Sequence, residues 1–391
     1  MTERTIVGVP LHIRERPETL KFCLENIDDC LSFLGIDAGI IVGVNGEGLS
    51  DENFNNLCGT INRSRYNADI SFIRTRPGIV NATKAIGEVA EEQGCGRIFL
   101  TDADISRLPR SLYYMWRRGE APIIGANYSA YPEEIMIRAG VGLTPQEIAF
   151  MRIFEADKHP LMREFTFPHR PRRRLKGSLL LVDLNFLFRM YGSQQITSDS
   201  VMNMRVLDRD RQLIPSAGFF HFARVDLTDH FIGRLRHFRA AASEGRLKEF
   251  VERSIIYDRE TATRIAARAR NKDPGLSGVI SNFLIKCALE KKVTEICGKI
   301  ASGRSPDIST LNTEVDILDL QVNSLEEAER IVSGLLGKYL KVEELYGPVT
   351  KGRGLTNGRF RVPIDLKPFL GNDYYRGMLC RYLGLPEGVE V

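Results

Sequence analysis

The chain holds a single tryptophan and only seven cysteines in 391 residues. Those cysteines (Cys23, Cys30, Cys58, Cys95, Cys287, Cys297 and Cys380) are odd in number, irregularly spaced and without a C-x-x-C pair. The pattern argues against a disulfide framework and against a zinc knuckle. Cys23 and Cys30 fall on one helical face with Leu20, Leu24, Ile27, Leu31 and Leu34, where small buried hydrophobes are expected. No apolar run approaches the roughly 18 residues of a membrane-spanning helix. Even Leu179-Leu180-Leu181-Val182 is only strand-sized. After Met1-Thr2-Glu3-Arg4 the chain enters a short apolar run and then charges, with no secretory h-region. The expected location is the cytosol. A dominant charge is also missing: 54 basic against 50 acidic residues leave +4, too near balance to announce a nucleic-acid or membrane partner.

What is present is an ordinary globular composition, 43% hydrophobic and 27% charged, on a length that suggests about two to three domains. Thr5-Ile6-Val7-Gly8-Val9 reads as a buried strand ended by Pro10, and Pro17 opens a helix over residues 17–34. Further strands are read at 39–44, 70–73, 97–101 and 122–126, with a helix over 79–92. Apolar runs separated by helices imply a mostly parallel sheet covered on both faces. Residues 130–176 read as irregular and hold the densest basic run, His169-Arg170-Pro171-Arg172-Arg173-Arg174-Leu175-Lys176. A strand follows at 177–183 and a helix at 199–207. Helical segments dominate from about residue 239, at 260–270, 279–300 and 325–340. The expected division is 1–238, α/β, and 239–391, mainly helical.

In such sheets ligands bind at the carboxyl ends of the strands. Ile98-Phe99-Leu100-Thr101-Asp102-Ala103-Asp104 places two carboxylates there, one residue apart. Mg²⁺ typically takes one or two carboxylates and completes its shell with substrate phosphates and water, so the pair suits a diphosphate. The same residues would also serve a turn, with Asp104 or Ser106 capping a helix that starts near Arg110.

Order along the chain adds to this. Arg16-Pro17-Glu18-Thr19-Leu20 follows the first strand, Asn45-Gly46 the second, Gly78-Ile79-Val80-Asn81-Ala82 the third, and Asp102-Ala103-Asp104 the fourth. Over roughly residues 5 to 240 the chain resembles the family 2 glycosyltransferases of the GT-A fold. It departs from them at Leu11-His12-Ile13, at the inserted Arg14-Glu15, at Val44 where an aspartate usually meets the nucleobase, and at Lys84 where an asparagine usually stands. The resemblance implies a GT-A (Rossmann-like) sheet with helices on both faces, plus a helical C-terminal domain. It implies inverting transfer of a sugar from a UDP- or GDP-type nucleotide-diphosphate sugar to an acceptor hydroxyl. Donor binding would fall to Pro10, Arg16, Glu18, Asn45, Gly78, Lys84 and Asp102. Mn²⁺ or Mg²⁺ would lie on Asp102 and Asp104, with His221 as a third ligand, and Asp199 would be the base. Arg and Lys of the run 170–176 suit phosphate, so an acceptor bearing phosphate, a nucleic acid included, is compatible. Other classes remain open: a haloacid-dehalogenase-type phosphatase reading Asp102-Ala103-Asp104-Ile105-Ser106, a sugar-phosphate nucleotidyltransferase, or a non-catalytic GT-A-like binding protein.

Overall fold

The computed structural model describes residues 4–169, 175–192, 206–306, 315–346 and 362–391. The N-terminal half alternates as the apolar pattern requires: β1 Thr5–His12, α1 Pro17–Leu31, β2 Ala38–Asn45, α2 Asp51–Gly59, β3 Asp69–Arg74, α3 Ile79–Glu92 and β4 Arg97–Thr101. A two-residue strand, β5 Ser106–Arg107, then α4 Ser111–Arg118 and β6 Ile123–Ala130 complete this stretch. Later in the chain come β7 Leu179–Asp183, α8 Leu184–Gly192 and β8 Arg211–His221.

These strands form one sheet in the order β3-β2-β1-β4-β7-β6-β8-β5. β1 pairs in parallel with β2 and β4, and β2 with β3. Because β7 is antiparallel to both β4 and β6, β6 runs with β4 and β7 alone among these six is reversed. The order 3-2-1 is that of one half of a doubly wound sheet, with β4 next to β1 where the second half would begin. Alternation splits β1 between two cores. Val7, Val9 and Leu11 join α1 and α4 on one face, whereas Ile6 joins Ile86 of α3 and Leu184 and Leu187 of α8 on the other. α3 lies close because Gly8 and Gly43 lack side chains: a Cβ there would stand 2.6 and 2.9 Å from Ile86. The fold is α/β, a mostly parallel sheet with helices on both faces, and the second unit is mainly helical.

Several expected boundaries shift. Pro10 does not end β1, which continues to His12; the β1–β4 ladder stops at Gly8, so the missing proline N–H interrupts nothing there. Helix α2, capped by Ser50, had no counterpart in the sequence reading. Residues 130–169 of the stretch read as irregular are not so. They contain helices at Glu133–Arg138, Pro145–Phe154 and Pro160–Thr166. Pro145 and Pro160 are helix starts: Thr144 and Glu147 form a capping box before Pro145, and His159 caps the helix begun by Pro160. The helix read at 199–207 lies largely outside the described residues.

Two compact units divide the chain, one of Met1–Ser129, Arg173–His221 and Arg361–Val391, the other of Ala130–Arg172 and Phe222–Phe360. The boundary read at 238/239 instead falls within the helix Leu227–Ser243. The reason is packing. Segment 362–391 returns to the sheet unit, where Ser106 Oγ donates to the Ile364 carbonyl (2.6 Å) and Tyr114 Oη to that of Glu390 (3.0 Å). The helices of 133–166 belong with those after 222, as the stacked Phe154 and His230 rings (4.3 Å) show.

That second unit is built on the helices Leu227–Ser243, Arg259–Lys272, Ser277–Ala301 and Leu325–Tyr339. Burial, helped by the cations Arg224, Arg234 and Lys286, holds the His230 imidazole well below its ordinary pKa, so it is neutral in the fold. Below about pH 6.5 the unfolded chain takes up a proton that the folded one refuses, and stability falls with pH at up to about 1.4 kcal/mol per unit. Unfolding titrations of His230→Phe at pH 7 and pH 5 are expected to show a smaller loss on acidification than the parent.

Candidate active site

The carboxyl edge of the parallel strands gathers four loops. His12 pairs with Asn45 and Val44 with Arg74 at the ends of their ladders, and Thr101 of β4 opens directly into Asp102. β7 runs the other way, so its amino end arrives at the same edge: Leu179 faces Thr101, and the Asp102 amide donates to the Ser178 carbonyl (3.1 Å). That reversal carries Lys176, the last residue of the basic run, to the D-x-D turn.

Asp102 and Asp104 are both half-buried there. Burial, the neighbouring Asp102 carboxylate and the Glu15 carboxylate together push the Asp104 carboxyl up to about 7, while its own backbone amide and Lys176 work in the opposite sense. Three carboxylates therefore converge within electrostatic range against one lysine. Such a site stores repulsion that a cation relieves. Asp102 and Asp104 fit a divalent ion whose shell is finished by phosphate and water. Among the described residues, no group of three or more His, Cys, Asp or Glu side chains is arranged to hold a metal alone. His221 does not form such a group with Asp102 and Asp104. It ends β8 with its ring stacked on Tyr128 (6.0 Å), over which Lys176 also lies (5.6 Å).

The remaining expected residues are placed unevenly. Gly78 is the N-cap of α3 with φ +107°, a conformation glycine adopts without strain. No side chain caps that helix, so its first amides face the strand edge in the manner of an anion site. Lys84 is half-buried in the second turn of α3. Asn45 is buried, its Nδ2 donating to the Leu11 carbonyl (2.9 Å) while its own carbonyl accepts from the Ile13 amide (2.7 Å). It splices β1 to β2, which leaves that side-chain donor engaged within the fold. Pro10 is half-buried within β1, whereas Arg16 and Glu18 stand exposed at the start of α1. Neither Asp104 nor Ser106 caps α4, whose N-cap is Arg110. Asp199 lies outside the described residues, as do 170–174 of the basic run.

Two contributors escaped the sequence reading. Glu15 was read as part of an insertion, yet it reaches Asp104 electrostatically. Arg107 was not singled out, yet it is the largest fully buried side chain, 1% exposed beneath the D-x-D turn. The only trace of it in the sequence is a cation three residues after Asp104.

No protein-family model matches the chain, and no curated protein does. Among solved structures it is similar to HddC from Yersinia pseudotuberculosis (14% identity, 33% of this chain and 60% of that one, TM-score 0.24). It is similar also to galactosyltransferase LgtC in complex with donor and acceptor sugar analogues (12%, 51% and 69%, 0.26). A third is S. aureus TarS (10%, 72% and 43%, 0.32), so the chain spans less than half of TarS and about three-fifths of HddC. Superpositions at this level assign no activity. The fold stands on the strand order and register above. Among the described residues no helix is long and apolar enough to cross a membrane.

Proposed function

We propose that the chain is a glycosyltransferase that moves a sugar from a UDP- or GDP-type nucleotide-diphosphate sugar to an acceptor hydroxyl, with Mn²⁺ or Mg²⁺ on Asp102 and Asp104. The observation that carries the reading is the convergence of Asp102, Asp104 and Glu15 at the carboxyl edge, where burial and the two neighbouring carboxylates push Asp104 up to about 7. When bound, the divalent ion supplies a fixed positive charge for the negative charge that grows on the leaving diphosphate. Asp102 and Asp104 would hold it. Lys176 adds a second fixed cation beside the same carboxylates, and the uncapped start of α3 at Gly78 offers amides to the phosphates. Asp199 remains the proposed base for the acceptor hydroxyl, with inversion at the sugar carbon. Val44, in place of an aspartate, leaves the choice between uracil and guanine to other contacts.

The phosphatase reading is weakened at Ser106. That residue is fully buried and its hydroxyl donates to the Ile364 carbonyl, so it does not face a phosphate. A thermal-shift series over UDP, GDP and their sugar conjugates, with and without Mn²⁺, tests the proposal. Stabilisation by at least one nucleotide that needs the metal is expected. Stabilisation by none of them, or hydrolysis of an aryl phosphate that Asp102→Asn abolishes, would overturn it.

A further inference from the structure

The geometry points to Arg107 as a positioning residue that sets the D-x-D turn for the cation, an inference that rests on the metal-dependent reading above. A guanidinium buried at 1% exposure must place its donors on acceptors, because a lone buried charge is costly. Its Nε donates to Thr101 Oγ1 (3.0 Å), and Nη2 donates to the same oxygen and to the Asp102 carbonyl (2.6 Å). Nη1 donates to Asn26 Oδ1 (3.0 Å). Asn26, from α1, also grips the Arg107 backbone from both sides: its Oδ1 accepts from the Arg107 amide (2.9 Å) and its Nδ2 donates to the Arg107 carbonyl (3.2 Å). One side chain thus ties the end of β4, the peptide of the first metal-site aspartate, and α1 into a single rigid unit.

The electrostatics point the same way. Among the described residues no ion pair includes Arg107, so its charge has acceptors but no contacting carboxylate. Arg107, Asp102 and Asp104 nevertheless all act on one point, the buried Cys23 thiol, which burial raises, Arg107 lowers and both aspartates raise. The guanidinium therefore shares the surroundings of the carboxylate pair, bonded to the peptide of the turn that carries them. A lysine would keep the charge but lose the planar fork that reaches Thr101, Asp102 and Asn26 at once.

Arg107→Lys separates positioning from charge. The readouts are Mn²⁺ affinity at saturating nucleotide, using whichever of UDP and GDP stabilises the parent, and nucleotide affinity without metal. Arg107→Lys is expected to lose at least tenfold in Mn²⁺ affinity with metal-free nucleotide affinity unchanged, and to lower kcat more than it raises KM. Asn26→Ala, a change at a half-exposed helix position that keeps Arg107, is expected to lose three- to tenfold in the same readout and serves should Arg107→Lys fail to fold. Mn²⁺ affinity unchanged in the folded Arg107→Lys protein, or unchanged in Asn26→Ala, would overturn the inference. Absence of any nucleotide-linked Mn²⁺ binding in the parent would instead overturn the metal-dependent reading beneath it.

Discussion

Asp104→Ala is expected to abolish the Mn²⁺-dependent stabilisation by a nucleoside diphosphate and to lower sugar transfer by about 10²–10³-fold, the typical loss for one pre-organised stabiliser of developing charge. The same site should show the opposite sign in the ligand-free protein. The Asp104 carboxyl is pushed up to about 7 by burial and by Asp102 and Glu15. A carboxyl raised in this way favours the fold below its unfolded pKa, near pH 4, and that contribution is lost as pH rises through 7. Asp104→Asn should therefore melt higher than the parent at pH 8, where the parent must hold three converging carboxylates. The two should melt together at pH 5, where Asp104 is protonated. Thermal melts of both proteins without metal at the two pH values check this. A variant that loses ligand response while gaining ligand-free stability is the signature of a functional site rather than of a structural turn.

The second large effect lies in the helical unit. Lys286 is largely but not fully buried, its Nζ 3.2 Å from Asp157 Oδ1 and 4.0 Å from Glu290 Oε1, and it also donates to the Phe154 carbonyl. Burial alone would lower its pKa, but Asp157 and Glu290 outweigh that and hold the ammonium above its ordinary value. Replacing the lysine leaves Asp157, 4% exposed, without its cation. Breaking a buried pair from one side typically costs about 3–5 kcal/mol. Lys286→Met should therefore unfold earlier in urea by that amount, with a melting temperature lower by about 10 °C. Lys286→Met combined with Asp157→Leu should recover part of the loss, since the stranded charge is gone. Equal losses in the single and double variants would show that the ion pair is not the cause.

The alternating half of the fold was legible because its physics is local. The helix read at 79–92 is α3 as observed, and β4 was read at its observed bounds, since buried apolar runs and a 3.6-residue stripe need no tertiary information. The D-x-D turn was legible for the same reason: it follows the buried apolar run Ile98-Phe99-Leu100. What escaped depended on partners distant in sequence. The helices opened by Pro145 and Pro160 fell in the stretch read as irregular, since a proline at a first helical turn resembles one in a loop until its cap is seen. Arg107 carried no signal of its own because its acceptors come from Asn26, 81 residues away, and from the preceding turn. Glu15 joins Asp104 only once β1 and β4 are neighbours in the sheet. The return of 362–391 to the sheet unit rests on single contacts such as Ser106 to Ile364, a separation of 258 residues that no periodicity records.

Titrating the protein with Mn²⁺ while following free Mn²⁺ by electron paramagnetic resonance, first alone and then with saturating UDP or GDP, tests the central claim most directly. Two carboxylates that leave most of the coordination shell to phosphate and water should bind the ion weakly alone and at least tenfold more tightly with one of the nucleotides, and Asp104→Ala should remove that gain. Equal Mn²⁺ binding with and without either nucleotide, or a gain that survives in Asp104→Ala, would contradict the account.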